Sequence, residues 1–405
     1  MAPRLLLFAA TTGYQTRAFA DAACRLEVEL TLATDRCHIL EDPWGDRALA
    51  VKFDQIAESV NQLQGLHFDG IVAVGDRPAV LAAAAAEILG VPFHPLAAAR
   101  ACNDKYLARR LYQAAGLRVP VFFRARFDER PETLAERAPY PCVVKPLGLS
   151  ASRGVIRAND QHEFLEAAHR IRRMGEHSLQ IESYIAGREF AVEGLVTAGC
   201  FLPLAIFDKP DPLEGPFFEE SIYVTPSRAA AAVQTELLEE TARAVRALGL
   251  RHGPVHAELR YNNVGAWILE IAARPIGGLC AKILRFEPNT PLEEIILRHA
   301  LGESVASTRL VDPACGVMMI PIPKAGIYDS VEGLEEARTV SGIEDIVITA
   351  KPGQQLVPLP EGASYLGFIF ARSQTPAEAE AVLRTAHAKL RFRMTTALET
   401  FRPST

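Results

Sequence analysis

The chain has 405 residues, room for roughly two to four structural units, and its 49% hydrophobic and 23% charged content is that of a globular protein with a large core. Its 43 basic and 49 acidic residues leave a net charge of −6, so no basic excess invites nucleic acid or an anionic membrane. No apolar run approaches the length of a membrane-crossing helix.

The run Leu5–Ala10 is short and leads into Thr11-Thr12-Gly13 without a small-residue cleavage site, so it reads as a buried first strand and not as a targeting segment. From there strands and helices alternate: Gln15–Cys24 (helix), Val28–Ala33 (strand), Gln55–Leu63 (helix), Gly70–Val74 (strand), a Gly75-Asp76-Arg77-Pro78 turn, and the Ala-rich helix Ala79–Leu89. Such alternation predicts a parallel sheet with helices on both faces. The first turn lacks G-x-G-x-x-G, which argues against a dinucleotide-binding oxidoreductase.

One helical stretch is predicted over Ala99–Ala115, closed by Gly116. A small α+β unit follows, with strands at Val119–Arg124, Tyr140–Lys145, Gly154–Ala158 and Ser178–Tyr184 and helices at Pro131–Arg137 and His162–Met174. An antiparallel region is expected over Glu189–Glu270, interrupted by a helix at Gln234–Leu248. The remainder holds strands at Ile346–Thr349 and Tyr365–Phe370 and a helix at Pro376–Leu390. Seven cysteines are scattered and never spaced C-x-x-C, which argues against disulfides or a zinc site and for a reducing cytoplasm.

The segment Pro254–Arg260 alternates as a strand, Tyr261–Gly265 reads as a turn, and Trp267–Ile271 as the return strand. With the turn centred near Val264, Glu258 and Glu270 face each other, and His256 shares their face. Two opposed carboxylates among apolar neighbours call for a cation, and hard oxygen ligands suit Mg²⁺; a solvated hairpin with two unrelated acids is the competing reading. The apolar strand Pro141–Lys145 ends in a lysine and runs into the small-residue loop around Ser150, Ser152 and Gly154. Such a loop can wrap its N–H groups around phosphate oxygens while Lys145 supplies charge; an ordinary hairpin with a surface lysine is the alternative. Glu182 and Glu189 flank a glycine turn, with Tyr184 and Ile185 between them. Such a strand edge can serve adenine and ribose, or carry two surface acids. Lys105, on a helix, and Arg274, just past Glu270, can grip phosphate or form local ion pairs.

The order of these features resembles the ATP-grasp superfamily over residues 1 to about 325, and the chain looks most similar to its L-amino-acid ligase branch. The resemblance implies α/β and α+β architecture: a Rossmann-like pre-ATP-grasp domain (1–98), a lid subdomain (99–185), an ATP-grasp core with the metal site (186–325) and a small C-terminal α/β subdomain (326–405). It implies an ATP-dependent carboxylate–amine ligase that makes an amide through an acyl phosphate, on amino-acid substrates, with Mg²⁺ or Mn²⁺. A carboxylase or formyl-transfer enzyme and a degenerate regulatory protein are the alternatives. It further implies that Lys105 and Lys145 hold phosphates and that Ser150, Ser152 and Gly154 close over them. Glu182, Tyr184 and Ile185 would line the adenine pocket, and Glu189 would take the ribose. Glu258 and Glu270 would ligate the metal, and Arg274 and His256 would stabilise the transferred phosphate and tetrahedral intermediate. Glu220 would receive a substrate amino group, with Glu219 as its competitor. Ala272 stands where many ATP-grasp sites carry a metal-binding asparagine, so a second ion would rely on Glu270, phosphate and water. No nucleic-acid or membrane partner is expected, and a homodimer is compatible with the reading.

Overall fold

The computed structural model describes residues 2–10, 14–35, 48–311 and 313–396. The chain forms two compact units, each assembled from three separate stretches. The first contains Met1–Val119, Ile185–Asp208 and Ser227–Asp312; the second contains Pro120–Tyr184, Lys209–Pro226 and Pro313–Thr405.

The first unit begins with the expected parallel sheet, in the order Ala48–Ala50, Glu29–Thr34, Arg4–Ala9, Gly70–Val74. Leu5 to Ala9 are all buried, the mark of a strand covered on both faces. The edge strand Ala48–Ala50 is too short to announce itself in sequence. The Thr11-Thr12-Gly13 turn lies outside the described residues. The Ala-rich helix starts at Asp76, not at Ala79, so the supposed Gly75–Pro78 turn is its first turn. Pro78 is tolerated there because first-turn N–H groups have no partner within a helix. The stretch Ala99–Ala115 is two helices, Leu96–Cys102 and Lys105–Ala114. Asp104 caps the second, accepting from the N–H groups of Tyr106 at 3.0 Å and Leu107 at 2.9 Å.

An antiparallel sheet completes this unit, with Gly265–Ala272, Gly253–Asn262, Arg188–Thr197 and Cys200–Lys209 side by side. The helix Ala231–Leu248 packs against it through Leu237, Ala244, Val245 and Leu248, and one apolar core joins this sheet to the parallel one.

The second unit opens with a four-stranded antiparallel sheet, in the order Phe122–Arg126, Ser178–Ser183, Cys142–Pro146, Ile156–Ala158. Leu134, Phe164 and Ile171 of the helices Pro131–Arg137 and Gln161–Arg173 pack against its apolar face. Ile222–Thr225, Ala314–Ile320, Gly367–Ser373 and Ile343–Ile348 form further antiparallel pairs in this unit. The helix Pro376–His387, started by a Thr375–Glu378 capping box, covers them with Leu383 and Ala386. Among the described residues no helix is long and apolar enough to cross a membrane.

Candidate active site

In the first unit Glu258 and Glu270 are register partners across the hairpin, and His256 lies opposite Ala272. The way they meet differs from the simple hairpin. The turn closes at Asn262 opposite Gly265, a register that would set Glu270 against Ala257 and turn its side chain to the far face. A one-residue bulge between Glu258 and Leu259 corrects this: Leu259 pairs with Ile268, Glu258 with Glu270, and Leu269 is the extra residue. Both acids keep partial access to solvent, with side chains 26% and 33% exposed. Lys105 brings its Nζ to 3.9 Å from Glu270, and His256 Nε2 lies 3.4 Å from Glu258.

Two acids, Glu193 and Asp76, and one arginine, Arg260, missed by sequence reasoning hold this cluster. Glu193, buried on the neighbouring strand and opposite His256, pairs with His256 Nδ1. Its other oxygen accepts from the N–H of Ile276 at 3.1 Å. Burial alone would lower the His256 pKa, but Glu193 and Glu258 hold it up to about 9, so the ring is an imidazolium at neutral pH. Arg274 forms a two-pronged pair with Asp76, at 2.8 and 3.3 Å. Burial works against both charges of that pair, yet Asp76 is held below and Arg274 above its ordinary range by the other. Arg260 donates to Glu189 at 2.9 Å, as its cross-strand partner, and to the carbonyl of Ile185 at 2.7 Å. Glu189 is thus part of a buried ion pair and not a surface acid. The turn before it needs Gly187: its φ is +133°, and a Cβ there would sit 2.3 Å from the carbonyl oxygen of Tyr261.

The remaining candidates lie in the second unit. Lys145 stands opposite Gln180, and Glu182, two residues on, shares their face. Lys145 pairs with Glu182, whose second oxygen accepts from Gln180 Nε2 at 2.7 Å. The Glu182 side chain is only 3% exposed, so its first task is to fix this lysine. Tyr184 lies under the guanidinium of Arg157, 4.1 Å from the ring centroid, with Phe218 stacked 6.5 Å away.

The loop carrying Ser150, Ser152 and Gly154 is anchored at its exit. The N–H of Gly154 donates to Pro360 O at 2.9 Å, and Arg153 Nε donates to Glu361 O at 3.2 Å. Arg170 holds the Glu361 carboxylate from the adjacent helix. Gly154 takes φ +67°, and a Cβ there would meet Pro146 at 2.9 Å. Glu220 is engaged by Lys209, a buried lysine whose Nζ lies 2.5 Å from it and 5.0 Å from the Tyr223 ring centroid. Glu219 is the half-buried neighbour; burial raises its pKa, partly offset by a hydrogen bond from the Ile322 backbone. The loop bearing both acids is pinned to the strand Ile156–Ala158, where Arg157 donates from its N–H to Pro216 O at 2.9 Å and from its side chain to Glu214 O at 2.7 Å.

The chain carries an ATP-grasp domain: a family model of that description matches residues 138–283. Residues 318–395 match a second family model, described as the L-amino acid ligase C-terminal domain 2. The crystal structure of an L-amino acid ligase from Bacillus licheniformis superposes with a TM-score of 0.82 at 26% identity, over 97% of this chain and 99% of that one. Dapdiamide A synthase of Enterobacter agglomerans is 26% identical over 262 residues, 62% of this chain and 58% of that protein. A D-alanine–D-alanine ligase of Bordetella petrii is 27% identical over 201 residues, 47% of this chain and 61% of that enzyme. The matched segments thus span about 60% of the length of such relatives.

Proposed function

We propose that the chain is an ADP-forming carboxylate–amine ligase that joins amino acids through an acyl phosphate. The opposed carboxylates Glu258 and Glu270 carry this reading, because two acids held on one sheet face beside Lys105 and His256 form a hard-oxygen cation site. The donor set fits Mg²⁺: two oxygen ligands from the chain, with positions left for phosphate oxygens and water. A metal there would neutralise phosphate charge as the γ-phosphoryl group moves to the substrate carboxylate.

The chain's own groups do the rest. His256, kept as an imidazolium by Glu193, supports developing negative charge and does not act as a base. Arg274, oriented by Asp76, presents its guanidinium to an oxyanion. Lys105 and Lys145 serve phosphate oxygens, and Ser150, Ser152 and Gly154 lie in the loop that covers them. Tyr184 and Ile185 line the adenine site, with Glu182 setting Lys145 and Glu189 set toward the ribose by Arg260. Glu220 orients a substrate ammonium, shared with Lys209 as the positive partner. A reducing cytoplasm suits the cysteines, none of which is in a disulfide among the described residues.

The test is ADP and phosphate release screened over pairs of amino acids with Mg²⁺, with mass detection of the amide. Turnover with bicarbonate or formate in place of the amino-acid carboxylate, or no turnover with any pair, would defeat the reading. Lys145→Ala should weaken ATP binding by about 1.5–3 kcal/mol, the worth of a charge-assisted hydrogen bond. Calorimetry giving the wild-type ATP affinity would remove Lys145 from the nucleotide site.

A further inference from the structure

Arg109 is a buried cation that none of the foregoing chemistry uses. It is 2% exposed, in the helix Lys105–Ala114. A guanidinium out of water needs acceptors for its donors, and here they are two successive backbone carbonyls. NH1 donates to Ile268 O at 2.5 Å, and NH2 donates to Leu269 O at 3.2 Å.

Successive carbonyls of a regular strand point to opposite sides, so a single planar fork does not ordinarily receive both. Ile268 and Leu269 are the residues at the bulge, where the ladder breaks and the two carbonyls can turn the same way. The same bulge brings Glu270 opposite Glu258 in place of Ala257. Lys105, one helical turn before Arg109, reaches the Glu270 carboxylate itself at 3.9 Å. One face of one helix therefore holds both the backbone kink and the side chain that the kink aims.

We infer that Arg109 is a positioning residue for the metal site: its fork on Ile268 O and Leu269 O holds the bulge that keeps Glu258 and Glu270 in register. The inference rests on the proposal that these acids bind Mg²⁺. Its consequence is specific. Loss of the fork lets the return strand relax toward the register set by its turn, in which Glu270 leaves the site while the hairpin remains.

The experiment compares Arg109→Met and Arg109→Lys with the wild type. Mn²⁺ binding in the presence of ADP is followed by electron paramagnetic resonance, and amide hydrogen exchange is followed in the peptide covering residues 266–272. Arg109→Met should weaken Mn²⁺ binding roughly tenfold to a hundredfold, the usual loss when support to a metal ligand is removed. Its Mg²⁺ activation constant should rise in step, and exchange across the bulge should quicken. Arg109→Lys, which keeps the charge but lacks the planar fork, should fall between the wild type and Arg109→Met, and it decides the matter if Arg109→Met does not fold. Wild-type Mn²⁺ affinity and wild-type exchange in a folded variant overturn the inference. Glu270→Gln separates the two ideas, since it should abolish Mn²⁺ binding and leave exchange at the bulge unchanged. If the wild type itself binds no Mn²⁺, the metal reading fails, and quickened or unchanged exchange in the Arg109 variants then upholds or overturns the hold on the bulge.

Discussion

Glu270→Gln should lower turnover by about three orders of magnitude while leaving the fold intact, because a carboxylate that meets developing phosphate charge through a cation is worth about that much. The substitution keeps the size and hydrogen-bonding capacity of the side chain and removes only the charge. Its neighbours tolerate the change: the Glu270 side chain is 33% exposed, and its ion partner Lys105 is 3.9 Å away, a loose contact. Thermal unfolding within a few degrees of the wild type, together with lost ADP release at saturating Mg²⁺, is the expected pair of results. Near-normal turnover would show that the opposed acids are a structural accident of the hairpin. Glu258→Gln should be nearly as damaging, with the further effect of removing one support of the His256 charge.

The second expected result is a steep loss of stability in mild acid, and it comes from a histidine cluster away from the proposed chemistry. His94 is 1% exposed. Its Nδ1 accepts from the Arg251 N–H at 3.2 Å, so its Nε2 carries the proton and donates to Pro254 O at 3.1 Å. Protonating Nδ1 breaks the first of these bonds. The rings of His252 and His299 stack at 4.1 Å with planes 14° apart, and His299 Nε2 meets Thr197 Oγ1 at 2.8 Å. Burial, then the neighbouring rings, lower His94 and His299 from 6.5 to about 4, and burial lowers His252 as well. Above pH 6.5 folded and unfolded rings are both neutral and the cluster is harmless. Between 6.5 and about 4 the unfolded chain takes up protons that the folded cluster refuses, so stability falls as pH falls. For His94 alone the loss is about 3 kcal/mol. Urea midpoints measured at several pH values should drop across that window. His94→Gln, which offers a donor and an acceptor but takes up no proton, should flatten the drop; an unchanged profile in that variant would exonerate His94.

The two expectations differ in how far they could be read from the sequence. Alternation over Pro254–Arg260 and Trp267–Ile271 placed Glu258 against Glu270, because a strand's period of two fixes which residues share a face. The reason was incomplete, since the turn centre lies between Asn262 and Gly265 and the bulge supplies the correction. A bulge has no strong signature in a run as uniformly apolar as Ala266–Leu269, and its partner Arg109 lies 159 positions from Ile268. Separations of 198 and 63 positions likewise hid Asp76 from Arg274 and Glu193 from His256. Asp76 falls in a segment that reads as a turn, and Glu193 in an expected antiparallel region where nothing local marks its partner. What was legible came from local periodicity and from small residues next to charged ones. What was not legible is the long-range pairing of charges, since a carboxylate's partner is chosen by the fold and not by its neighbours in sequence. The assembly of each unit from three stretches was also beyond reach, because the elements on either side of each crossing look continuous.

That threading has a consequence for synthesis on the ribosome. The strand Ile222–Thr225 pairs with Ala314–Ile320, so its edge waits until residues 226–313 have been made. At ordinary elongation rates this wait is on the order of ten seconds. Through it, an all-buried stretch, Ile222-Tyr223-Val224-Thr225, presents unpaired backbone groups to the cell. The nascent chain is therefore most exposed to mispairing late in translation, when the first unit is nearly complete. Slowing elongation within 226–313, or depleting the chaperones that shield nascent strands, should lower the yield of native protein more than the same treatment applied before residue 200.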